Sequence, residues 1–168
     1  GLEGIRTVAS EVTHGRSRFD FLVENETGTR VFLEVKSVTL YGNGIAMFPD
    51  AVTERGSRHL LELAQLSKTS AQSIVIFLVQ GHDKEMFLPD YHTDLAFARI
   101  MTQVRDRVRY VPAAIEWDKD LKLKDSVELL DIPWGFISTR LADTGAYLLT
   151  LRVDQPSAIY VGSLGTVE

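Results

Sequence analysis

Apolar and polar residues alternate most regularly between Ser17 and Lys36. Phe19, Phe21 and Val23 alternate with Arg18, Asp20 and Leu22, and Val31, Leu33 and Val35 alternate with Phe32, Glu34 and Lys36. A period of two predicts a β-hairpin, with Asn25-Glu26-Thr27-Gly28 as its turn and Gly28 suited to a positive φ. Before it, Ile5 to Val12 predicts a strand that ends in a turn at His14-Gly15. After it, Val38-Thr39-Leu40 continues the strand, Tyr41 to Gly44 turns, and Ile45 to Phe48 returns. The period then changes. Val52, Gly56, Leu60 and Leu63 recur at helical spacing, which predicts a helix from about Ala51 to Leu66 capped by Asp50. Gly56 on the buried stripe implies a close approach to the sheet, while Arg55, His59 and Glu62 share another face. Ser73 to Gln80 is almost unbroken apolar, as in a strand covered on both sides. Thr93 is read as the cap of a second helix, Asp94 to about Val108, with Leu95, Ala96, Ile100 and Val104 inward and Arg99, Arg105 and Arg107 outward. Val108–Trp117 and Leu121–Leu130 follow as strands, with Pro112 marking the first as an edge or a bulge.

These elements predict an α/β fold with a mixed central sheet flanked by helices and a C-terminal β-hairpin. Pro133-Trp134-Gly135 reads as a boundary between a domain at 1–133 and a linker and hairpin at 134–168. The hairpin pairs Gly145–Val153 with Ala158–Gly162 and is too small to fold alone. It is expected to pack on the main domain or on a second copy, as in a homo-oligomer, or to open a domain that continues further. Both ends suggest a piece of a longer protein.

Composition narrows the class. The chain has 168 residues, 45% hydrophobic and 24% charged, which suits a globular core. No apolar run approaches transmembrane length and nothing at the start resembles a signal peptide, so no membrane association and a cytoplasmic location are expected. The absence of cysteine excludes disulfides and thiolate metal sites. A net charge of −5 argues against a basic nucleic-acid coat protein, but not against an enzyme whose metal site is itself acidic.

The candidate chemistry lies on the hairpin. Glu34 and Lys36, two apart, share a face, and an odd-length connection would bring Asp20 to it. Two adjacent carboxylates repel unless a cation lies between them, and their oxygens suit Mg²⁺ or Mn²⁺. Lys36 could orient a water or neutralise charge on a phosphate. Asp followed by Glu-x-Lys on the next strand resembles the PD-(D/E)xK nuclease site, although Glu-x-Lys on an edge strand is ordinarily a solvated ion pair. Glu11 is either a third acid for the metal or an exposed strand residue. Arg18, Arg55 and His59 are candidates for phosphate or DNA contact, against the alternative of ordinary surface charges.

The words SRFDF, FLEVKSVTL and FPDAVTERGSRHLLEL together resemble the sugar fermentation stimulation protein family, from about Ile5 to Pro133. The resemblance implies a nuclease-like domain, preceded in full-length members by a small β domain, and a role in DNA binding and in regulating sugar use. It maps the motif onto Asp20, Glu34 and Lys36. Two functions follow: a metal-dependent nuclease acting on DNA, or a DNA-binding regulator without turnover. Gly145 to Gly165 resembles the opening of a domain allied to the GIY-YIG nucleases.

Overall fold

The computed structural model describes residues 4–69, 71–81, 84–120 and 122–142. Strands β1 (Arg6–His14), β2 (Ser17–Glu24) and β3 (Arg30–Val38) form an antiparallel meander. β2 and β3 are joined by Asn25 to Thr29, an odd-length turn. The Asn25 side chain organises it, since Oδ1 accepts from the amides of Thr27 and Thr29 at 3.1 and 2.8 Å, and Gly28 takes φ 77°. Helix α1 (Glu54–Leu66) then crosses back to β6 (Gln72–Gln80), which lies parallel to β3. With β8 (Arg109–Trp117) and β9 (Leu123–Leu129), the main sheet has the order β1-β2-β3-β6-β8-β9.

A second, small sheet was only half legible. Its strands are β4 (Leu40–Gly42), β5 (Ile45–Phe48) and β7 (Met86–Pro89), the last of which the pattern did not predict. Four apolar residues between polar loops carry too short a signal.

The main core lies between the sheet and the helices. Phe77 and Phe87 stack at 4.3 Å, and Phe48 meets Phe97 edge-on at 5.3 Å. A smaller apolar cluster, Val23, Val31, Leu33 and Ile74, occupies the opposite sheet face. β6 feeds both, which accounts for its unbroken apolar run.

Several boundaries differ from the pattern. Helix α1 begins three residues later than expected, capped by Thr53, whose hydroxyl accepts from Gly56 N at 3.0 Å; Val52 is 71% exposed. Gly56 approaches Thr53 and Phe97, not the sheet. Helix α2 (Leu95–Gln103) is capped by Asp94 and buries Phe97, Ala98 and Met101, a stripe offset from the expected one. Pro112 sits inside the sheet, because β8 lies between β6 and β9. Its carbonyl accepts from Leu130 N at 3.0 Å. Its missing N–H points to the same side, at the end of the β8–β9 pairing next to Ala113 and Leu129, so the proline forgoes one bond at the margin of the ladder and none within it. Finally, Trp134–Ala142 is a helix, α3, packed on α2 with Ile137 fully buried, where a linker was expected. The predicted hairpin at 145–162 lies outside the described residues.

One buried carboxylate joins two helix starts. Asp94 accepts from Phe97 N at 2.9 Å and from Thr53 N at 2.8 Å. Asp94→Ala removes a cap and strands a second amide, so a loss of about 2–3 kcal/mol is expected. Urea denaturation measures it; a loss under about 0.5 kcal/mol would show that the carboxylate does not couple the helices.

Candidate functional site

Glu34 stands on the helix side of β3 and is only 3% exposed. Such a position tolerates a charge only when it is paired. Glu34 Oε1 accepts from Lys36 Nζ at 2.6 Å and lies 2.7 Å from His59 Nδ1. Lys36 reaches it because residues two apart on a strand share a face. His59 reaches it from α1, where it is 1% exposed against Phe19. Arg55, one helical turn earlier, donates from Nε to His59 Nε2 at 3.3 Å. A guanidinium can only donate, so Nε2 is the acceptor and Nδ1 carries the hydrogen given to Glu34. Glu34 Oε2 is buried and has no hydrogen-bond partner.

Burial pushes the Glu34 carboxyl up, but the hydrogen bonds from His59 and Lys36 outweigh it, and the net shift is downward. A lowered native pKa contributes stability above the ordinary carboxylate range and loses it as pH falls through the native value. Wild type should therefore lose its stability advantage over Glu34→Gln below about pH 4. Urea midpoints from neutral to acidic pH check this; a constant gap would contradict it.

Asp20 reaches the same place by another route. The β2–β3 register runs as far as Phe21 opposite Leu33, and one further pair sets Asp20 across from Glu34. Strict alternation fails there, however. Phe19 and Leu22, three apart, both pack in the helix-side core, while Phe21 is 39% exposed. The Asp20 carboxylate turns into the line of the ladder, and Oδ2 accepts from Val35 N at 2.7 Å. Its partner is thus the backbone amide of Val35, the residue between Glu34 and Lys36. The β1–β2 ladder is also interrupted here, since the position of Glu11 and Asp20 is skipped between two regular pairs. Glu11 has φ 53°, a strained value for a non-glycine residue.

The remaining candidates divide. Glu11 does not join Asp20 and Glu34: it is exposed, with Oε1 3.5 Å from Arg18 Nη2. That contact also occupies Arg18. His59 does not face a phosphate, because it is buried and both ring nitrogens are engaged. Helical periodicity placed it on a polar row, whereas α1 is turned so that His59 joins the buried stripe with Leu60 and Leu63. Arg55 is exposed beside it. Glu62, on the same row, ties α1 to the β1–β2 turn by accepting from Arg16 N at 3.3 Å, a role no local pattern signals.

The residues present suit an open cation site. Glu34 offers a buried oxygen without a partner, and the β2–β3 register sets Asp20 across from it. Among the described residues no three His, Asp or Glu side chains converge into a closed cage. Mg²⁺ is commonly held by one or two carboxylates with water and phosphate oxygens, so two acids are sufficient.

A mixed sheet flanked by helices, with this hairpin at its centre, defines a nuclease-like α/β fold. Residues 1–120 match the profile of the sugar fermentation stimulation protein RE domain, and the chain belongs to that family. A sugar fermentation stimulation protein homolog of Clostridium botulinum is 39% identical over 131 residues, covering 77% of this chain and 57% of its own length. One of Desulforamulus reducens is 47% identical over 96 residues, covering 57% and 40%. The structure of Pyrococcus furiosus SfsA in complex with Ca²⁺ aligns with a TM-score of 0.72 at 26% identity, covering 78% of this chain and 56% of that one. The chain thus spans about half the length of the relatives it matches.

Proposed function

We propose that this domain binds DNA and hydrolyses its phosphodiester bonds with a divalent cation, Mg²⁺ or Mn²⁺, held by Asp20 and Glu34. The observation that carries this is the buried, unpartnered Glu34 Oε2, beside a lysine and a second carboxylate. When bound, the cation would make water more acidic and offset the charge of the phosphate. The chain's own residues do the rest. Lys36 neutralises charge developing on the phosphate or orients the attacking water. His59, itself held by Arg55, and Lys36 fix Glu34 by Oε1, so that Oε2 is the oxygen presented to the cation. That makes His59 a positioning residue and leaves Arg55 and Arg18, of the three predicted phosphate contacts, to meet DNA directly. Ca²⁺ in the structure of the archaeal relative supports a cation-binding reading.

Supercoiled and single-stranded DNA, incubated with Mg²⁺ or Mn²⁺, test the proposal. Wild type should cut, and Lys36→Ala should cut at least about a hundredfold more slowly. If wild type binds DNA but neither protein cuts, the domain is the non-catalytic DNA-binding regulator instead. The engagement of Lys36 with Glu34 and of Asp20 with Val35 N favours that second reading, since both groups already have partners.

A further inference from the structure

At the opposite end of α1 from Arg55, the α1–β6 and α2–β8 connections and the start of α3 border an open cavity of about 550 Å³. That volume lies within the usual range for small-molecule sites, about 300–1,000 Å³. Tyr110 and Trp134 supply aromatic surface, with ring centroids 5.8 Å apart. Both are only partly buried. The Arg105 guanidinium stands over the Trp134 ring at 5.6 Å, and its Nη1 is 3.5 Å from Ser138 Oγ. Arg107 and Arg109 line the same cavity and are exposed. Asp106 opposes them, one carboxylate against three guanidiniums among the described lining residues.

A cationic rim in a chain of net charge −5 selects an anion. An indole with a guanidinium laid over it selects a planar ring, because bases stack on both kinds of surface. A nucleotide combines the two properties. In a duplex the base faces are covered by their neighbours, so the ligand must be unpaired.

We propose that this cavity binds an unpaired nucleotide, its base stacked on the Trp134–Arg105 layer and its phosphate against Arg107 and Arg109. The proposal deepens the nucleic-acid reading, yet it uses none of the residues of the Asp20–Glu34 site and can fail separately. A strand that enters here would be held away from the carboxylates while another part of it reaches them.

The chain has two tryptophans, and Trp117 is 46% exposed, so Trp117→Phe leaves Trp134 as the sole indole reporter. In that background the full chain is titrated with oligothymidylate, thymidine monophosphate, inorganic phosphate and a blunt DNA duplex. Saturable quenching by oligothymidylate, weaker by the monophosphate and absent with phosphate, is the expected result. Adding Arg107→Ala and Arg109→Ala, both at exposed positions, should weaken oligothymidylate binding about tenfold and flatten its salt dependence. Lys36→Ala should leave the titration unchanged, even if it abolishes cleavage. Equal binding of mononucleotide and oligonucleotide would still support the site and assign it to free nucleotides. No saturable quenching at millimolar oligonucleotide, equal binding after loss of the two arginines, or an equal response to the duplex would overturn the proposal.

Discussion

Glu34→Ala is expected to destabilise the domain by about 3–5 kcal/mol, the usual cost of removing one partner from a buried ionic cluster. The substitution strands the Lys36 ammonium and the His59 Nδ1–H together, and it leaves a void at a buried position. Lys36 retains some access to water, which sets the loss toward the lower figure. Glu34→Gln keeps one acceptor oxygen and the shape, so about 1–2 kcal/mol is expected. His59→Ala in each background completes a double-mutant cycle, whose coupling should exceed about 1 kcal/mol. Equilibrium urea denaturation provides every term. A loss under about 1 kcal/mol for Glu34→Ala would mean that the cluster is not an energetic unit.

Asp20→Asn separates a cation site from a structural ion-pair network. The amide oxygen of asparagine can still accept from Val35 N, but a neutral acceptor is weaker than a carboxylate. Without metal, a loss of about 1 kcal/mol is therefore expected, although electrostatic repulsion with Glu34 taken alone would favour a gain. The Val35 bond and the two donors on Glu34 already offset that repulsion. With metal the difference widens. A cation that binds the folded site stabilises by mass action, about 2.7 kcal/mol at one hundred times its dissociation constant. Mg²⁺ or Mn²⁺ should thus raise the melting temperature of wild type and leave that of Asp20→Asn almost unmoved. Equal shifts in both proteins, or none in either at millimolar metal, would remove the cation from the site. The DNA-binding reading would then stand alone.

How far the residues disclosed the fold depends on how local each signal is. The β2–β3 hairpin, the site of its turn and the buried β6 followed from period and turn chemistry, which act within a few residues. Asp20, Glu34 and Lys36 could be grouped for the same reason, since pairing register fixes which positions face each other. Helix starts were placed less well. Asp50 and Thr93 are as suited to capping as Thr53 and Asp94, and the choice rests on Asp94 reaching Thr53 N across forty residues of chain. Nothing in the local pattern marks Met86–Pro89 as a strand, because its pairing partner is β5.

The sequence alone determined the alternation, the turn and the identities of the acids and the lysine, because backbone geometry converts spacing directly into faces. Only the tertiary structure decided what those groups do to one another. The slip in β2 turns Asp20 onto the Val35 amide, and the rotation of α1 buries His59 instead of exposing it. Both follow from packing Phe19 and the α1 stripe into one core, a constraint set by elements far apart in the chain. Spacing could bring Glu34 and Lys36 together; leaving Glu34 Oε2 without a partner required the helix as well.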